Sequence, residues 1–378
     1  MKRLMIVGVL VLGVVVAGSA WPVLTASRLS RPLKDNAPFQ QHADGKHARD
    51  AGHWLVTAGS SAAGLIVGAA LCGNDAFLLD RQAGRVHRVD LDQRTVTGSI
   101  GLAVGALRFV TSVAADCAAQ LLYVTHHEGV AAFDINSGDL EANYAKPTSF
   151  VHTLGASVLD PASHTLAVPG LWPQSDSDWL VKPVDRMFEG DKIGYRLDLR
   201  TGRASPMLAP VERGCWSLGP NCTAATLDAT ERGGWVAAHR VGMMVGVYDA
   251  RYQLIRTIDV RSPLFAETGR RNLSQKVDTM LAWGEENSVI RQVHAFGDDI
   301  VTVHSVNRSK PGNGSVTKFD VFMNVHAIDG ERLQSDLRLP DLPVGRDDAA
   351  LYVIDYGANG RRKLGRNAFS LVRIPVSQ

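Results

Sequence analysis

Five segments of this chain end a short apolar strand pattern with an Asp that opens a turn. They are VHRVDLDQRTVTGSI around Asp90, VAAFDINSGDLEANY around Asp134, IGYRLDLRTGRASPM around Asp198, VGVYDARYQLIRTI around Asp249 and VHAIDGERLQSDLRL around Asp329. Self-similar units of this size arise when one small sheet is copied around an axis, which predicts a β-propeller. An Asp at a strand end accepts hydrogen bonds from the backbone N–H groups of the turn that follows it. The five segments lack the alternating Asp/Asn ligands of a calcium loop, so a turn-capping role is expected for all of them.

Each unit reads as four strands. The first holds LIVGAALC (65–72) as its innermost strand, then DAFLLDR, RVHRVDL and TVTGSIG running outward. The second holds FVTSVAADC, QLLYVTH, GVAAFDI and LEANYA, and the third VHTLGASVLD, HTLAVPG, IGYRLDL and ASPMLAP. The fourth holds AATLDATE, GWVAAHR, MVGVYDA and LIRTIDV, and the fifth VIRQVHAFG, DIVTVHS, FDVFMNVHAID and RLQSDLRL. A sixth is partial, with LYVIDY (351–356) and FSLVRIPV (369–376). HWLVTAG (53–59) precedes the first complete unit without a partner of its own. Paired beside FSLVRIPV, it would close the ring with strands from both ends of the chain and remove the open edges of a broken ring. The fold class is therefore all-β, a six-bladed propeller, with five or seven blades as the neighbouring counts.

The balance of 40 basic against 38 acidic residues leaves a formal charge of +2, which gives no basic surface of the kind that binds nucleic acid. Lys2 and Arg3 precede an apolar run from Leu4 to Ala17, and Gly18, Ser19 and Ala20 supply small residues for cleavage. Residues 1–20 are thus expected to be a signal peptide or an uncleaved N-terminal anchor, the sole membrane contact foreseen. Residues 21–50 form a polar leader, and 51–378 the propeller domain. The protein is expected in the periplasm or outside the cell. Four cysteines in an exported chain imply disulfides. Cys215 and Cys222 bracket a short Gly-Pro turn and suit a local bridge. Cys72 and Cys117 end the first strands of consecutive units, which suits a bridge between neighbouring blades. No Cys-x-x-Cys or matching His pair marks a zinc site.

The strand pairs FLLDRQAGRVHRVDLDQRT and LLYVTHHEGVAAFDINSGDL, the tail YDARYQLIRTIDV and the closing pair LYVIDY and FSLVRIPV resemble the bacterial six-bladed propellers of the NHL and TolB-like superfamily. The likeness spans residues 53–376 and carries fold more than activity. It implies one of several roles found in that group, which includes binding and assembly proteins, lactonases and lyases.

Candidate functional residues fall in three sets. Arg108, His152 and Arg291 lie near the starts of innermost strands and together would make a positive pocket for a carboxylate or phosphate. Two insertions, 171–192 and 261–286, bring Trp172, Trp179 and Trp283 to a binding face or pack long loops onto the scaffold. Glu212, Asp228, Glu285 and Asp347 are the carboxylates a calcium-dependent lactonase would need. His126-His127-Glu128 lacks the Pro-Cys-x-x-Cys of a zinc deaminase, and neither Gly-x-Ser-x-Gly nor a Gly-rich phosphate loop occurs. The expected role is a non-catalytic binding module at the cell envelope, monomeric, without a cofactor, taking a protein or a small anionic ligand. The alternative is a propeller enzyme, either a calcium-dependent lactone hydrolase or a lyase.

Overall fold

The computed structural model describes residues 53–57, 65–102, 107, 109–152, 155–172, 192–209, 211, 225–240, 244–260, 262, 289–307, 319–355 and 368–376. Arg108, Trp179, Cys215, Cys222, Trp283 and the whole of 1–50 lie outside them. Among the described residues the regular structure is strand alone, and no helix is long and apolar enough to cross a membrane.

The first described strand is β1 (His53–Thr57), and it belongs to the last blade. Blade I holds β2 (Ile66–Cys72), β3 (Asp75–Asp80), β4 (Arg85–Asp90) and β5 (Thr95–Gly101). Blade II holds β6 (Ser112–Asp116), β7 (Leu121–His126), β8 (Gly129–Asp134) and β9 (Leu140–Ala145). A two-stranded ribbon of β10 (Val151–His152) and β13 (Gly170–Leu171) flanks blade III, which comprises β11 (Val158–Asp160), β12 (Thr165–Val168), β14 (Tyr195–Asp198) and β15 (Ala204–Pro206). Blade IV comprises β16 (Ala225–Ala229), β17 (Trp235–His239), β18 (Met244–Tyr248) and β19 (Leu254–Asp259). Blade V comprises β20 (Val289–Phe296), β21 (Asp299–Asn307), β22 (Phe319–Ala327) and β23 (Arg332–Leu339). Blade VI begins with β24 (Pro343–Arg346), β25 (Ala350–Asp355) and β26 (Ala368–Pro375), and β1 completes it.

The ring closes as the sequence predicts. β1 runs antiparallel to β26, with Trp54 opposite Leu371 and Val56 opposite Phe369. Thr57 also meets Thr95 of β5, which links the outer edges of blades VI and I. Two details depart from the sequence reading. Blade VI has an innermost strand, β24, whose Pro-Val-Gly-Arg composition hides it because Pro and Gly are poor strand formers. The segment VHTLGASVLD is two pieces, because β10 pairs with β13 and only β11 takes the inner position. A Cβ at Gly155, between the two pieces, would stand 2.7 Å from the Pro169 ring, so the chain turns there against a close neighbour.

Near-continuous apolar strands follow from blade-on-blade packing, because alternate residues serve opposite faces of one sheet. Leu79 packs with Leu122 and Phe133 between blades I and II, while its neighbour Leu78 packs with Tyr352 and Leu371 between blades VI and I. Six such apolar clusters occupy the six joints of the ring. Fully burying each large aliphatic or Phe side chain in them is worth about 1.5–3 kcal/mol.

The two faces of the ring are built differently. Turns from the first to the second strand, and from the third to the fourth, share one face. Asp90 accepts from Gln93 N, Asp134 from Asn136 N and Ser137 N, and Asp198 from Arg200 N and Thr201 N. Asp249 accepts from Arg251 N and Gln253 N, and Asp329 from Glu331 N. The repeated Asp is thus a turn cap in all five units. The same face carries a further set at the ends of innermost strands, where Asp116, Asp160 and Asp347 cap in the same way. We call this the cap face. The opposite loop face receives every connection from second to third strand and every passage between blades. The longer stretches 172–194, 207–224, 260–288, 308–318 and 356–367 all join strand ends on the loop face.

Cys72 and Cys117 form a disulfide between blades I and II at the cap face, with Cα atoms 5.5 Å apart.

Candidate functional site

The innermost strands β2, β6, β11, β16, β20 and β24 surround the axis. β24 approaches β2 so closely that a Cβ on Gly345 would stand 2.6 Å from the Ala69 carbonyl oxygen, so that joint requires glycine.

At the loop end of the axis, Arg291 sits at an irregularity in β20, and its Nε donates to Ser305 Oγ at 2.8 Å. His152 lies in β10, ahead of the inner strand of blade III, and Arg108 precedes β6 in the chain. Arg291 and the backbone of His152 therefore belong to the loop end of their blades, and Arg108 lies outside the described residues. Nearby, Ser112 Oγ donates to Ser157 Oγ at 3.0 Å and Thr125 Oγ1 lies 2.8 Å from the same oxygen, giving a buried hydroxyl cluster between blades II and III. Trp172 starts the 172–194 connection. It is held by a two-way backbone bridge to Lys192, and its ring meets Tyr195 edge-on at 6.2 Å.

At the cap end the axis carries a charged cluster that sequence reasoning did not assemble. Asp228 of β16 is 3% exposed, and its carboxylate faces Arg346 of β24 in a side-on bidentate pair. Arg346 Nε lies 2.8 Å from Oδ2, and Nη2 donates to Oδ1 at 3.1 Å. Ala229 N and Ala295 N also donate to the same carboxylate, and His294 Nδ1 lies 3.5 Å from it. His294 Nε2 in turn lies 3.2 Å from Gln292 Oε1, whose amide nitrogen donates to the Pro343 carbonyl at 2.7 Å. The Arg346 guanidinium stands 5.3 Å from the Phe296 ring centroid, within cation–π range. Burial pushes the Asp228 carboxyl up, but hydrogen bonding from His294 and the charge of Arg346 outweigh it and hold the group below the usual carboxylate range. The residues come from blades IV, V and VI, and the signal that marks them is positional. Arg346 of PVGR stands where the inner strands of blades I–III carry Leu71, Ala115 and Leu159, and Asp228 of ATLDA and His294 of VHAF stand where those strands carry Ala70, Ala114 and Val158.

Of the four carboxylates considered for calcium, Glu212 and Glu285 lie outside the described residues. Asp228 is engaged as above. Asp347 accepts from Tyr352 Oη at 2.8 Å and from Arg373 Nε at 3.2 Å while capping its turn. Among the described residues no group of three His, Cys, Asp or Glu side chains is disposed to hold a metal ion.

No protein-family profile and no curated protein sequence matches the chain. Solved structures do. A member of the DUF4221 family from Bacteroides vulgatus superposes with a TM-score of 0.62 at 10% identity, over 85% of this chain and 96% of that one. A putative exported protein from Bacteroides fragilis gives 0.53 at 10% identity, over 89% and 98%. Regucalcin from Agrobacterium tumefaciens, a calcium-binding protein, gives 0.46 at 12% identity, over 83% and 92%. The first two share the propeller fold with this chain, and the third is too loose a match to support more.

Proposed function

We propose that this chain is an exported, disulfide-stapled propeller that works as a non-catalytic binding module at the cell envelope. In this reading it stands within the NHL and TolB-like group, and it takes a protein or a small anionic ligand at its loop face. The difference between the two faces carries the proposal. One face is a set of capped turns that leaves little room for variation. On the other lie the strand ends that the long connections join and the start of the inner strand that carries Arg291, and connecting segments on a rigid scaffold are where binding residues concentrate. The inter-blade disulfide supports an oxidising compartment. The engagement of Asp228 by Arg346 and of Asp347 by Arg373 supports binding over calcium-dependent hydrolysis, since both carboxylates already have a cationic partner.

A ligand-observed NMR screen of purified protein against small organic anions and peptides tests this. Saturable binding with the ligand unchanged over hours is expected, weakened in Arg291→Ala and unaffected by dialysis against a calcium chelator. Conversion of the ligand, or stoichiometric calcium whose removal abolishes binding, overturns the proposal in favour of the enzyme.

A further inference from the structure

Blades IV and VI are not neighbours, yet Asp228 and Arg346 are in contact. Their pair must pass over the inner strand of blade V, where Ala295 N and His294 meet it. It therefore lines the cap end of the axis along blade V. At the level of Arg346 the inner strands of blades I–V carry Leu71, Ala115, Leu159, Ala229 and Ala295, and the first three are partly exposed, each packed against an inter-blade cluster. One turn of the ring is thus apolar on five blades and carries a guanidinium on the sixth, with Asp228 and His294 one residue before that level.

The chemistry of this ion pair is selective. Asp228 is saturated by Arg346, His294 and two backbone N–H groups, so it offers little to a ligand. Arg346 spends its Nε and Nη2 edge on Asp228, and a guanidinium has five N–H donors, so the Nη1 edge faces away from the carboxylate. The side chain is 27% exposed. Stacking on Phe296 fixes the guanidinium plane, which prepares that edge for a planar acceptor. Asp228 already neutralises the single positive charge, which disfavours a dianion such as phosphate.

We infer that this six-blade ring is a binding site for a small aliphatic monocarboxylate, its carboxylate on the Nη1 edge of Arg346 and its alkyl chain along Leu71, Ala115 and Leu159. The inference rests on the binding-module reading and names a second site for it, at the opposite end of the axis from Arg291.

Octanoate and octylammonium are the probes, titrated into the full-length protein by isothermal calorimetry. Octanoate binds saturably, and octylammonium, with the same chain and the opposite charge, binds at least about tenfold more weakly. Arg346→Gln in an Asp228→Asn background, which leaves no buried charge behind, weakens octanoate by a similar factor. Leu71→Asp does the same by placing a like charge on the apolar part of the ring, and it decides the matter alone if the double variant fails to fold. Equal affinity for the two probes, unchanged octanoate affinity in the variants, or no saturable octanoate binding overturns the inference. If octanoate fails while another ligand binds in the NMR screen, the ring is not the site and the binding module stands. If nothing binds in either experiment, both fall.

Discussion

Asp249 shows what one carboxylate contributes to a blade. Its Oδ1 accepts from Arg251 N and Gln253 N, both at 2.8 Å, so two donors of an otherwise open turn are paired. Asp249→Ala removes both acceptors and is expected to cost about 1 kcal/mol, the scale of a net hydrogen bond in a protein. Asp249→Asn keeps the oxygen and is expected to cost less. Urea unfolding of the two variants reads the difference, and equal losses would show that the turn does not depend on the cap. Residues of this kind are legible in a bare sequence because their partners lie two to four positions away. Asp228 is the opposite case. Its partner Arg346 is 118 positions distant and two blades on, and neither local pattern nor repeat spacing brings the two together. The second set of caps at Asp116, Asp160 and Asp347 was equally local but less visible, because the strands before them are short and of unlike composition.

Among elements, the inner strands of blades I and II are joined more firmly than any contact of side chains alone would allow. The Cys72–Cys117 bridge closes a loop of 45 residues, and chain-entropy arguments assign such a loop about 2–4 kcal/mol of stability, mainly by restricting the unfolded chain. The Cys72→Ser, Cys117→Ser double variant is expected to lose that amount in urea unfolding while keeping the wild-type far-UV circular dichroism spectrum. An unchanged unfolding midpoint would show that the seam between these blades holds without the covalent link. This pairing was readable because equivalent positions on successive copies of a sheet are neighbours in space. The strand β24 was not, since Pro343 and Gly345 erase the apolar signal that marks the other inner strands. The structure explains their presence, because Gly345 is where blade VI comes closest to blade I.

For the whole molecule, stability depends on the pairing of β1 with β26. Without β1, the third strand of blade VI becomes an open edge, because β26 loses the partner paired with it from His53 to Thr57. A chain lacking everything through Thr57 is expected to unfold at a lower temperature and to form dimers or larger species in size-exclusion chromatography. A truncated chain that stays monomeric with an unchanged midpoint would show that the remaining blades support themselves. The ring itself was legible from the copied Asp turns and from a lone apolar segment at each end of the domain. The distribution of chemistry around the axis was not, because a repeat announces what its copies share, whereas a binding site is made where they differ.

A fold sealed by its two ends has a consequence for how such a chain is made. The strand that docks against His53–Thr57 follows it only after five whole blades, so the circle stays incomplete until those blades have been made. The sealed body forms by long-range pairing of the slow-folding kind, in which the first strand of the ring waits for its partner.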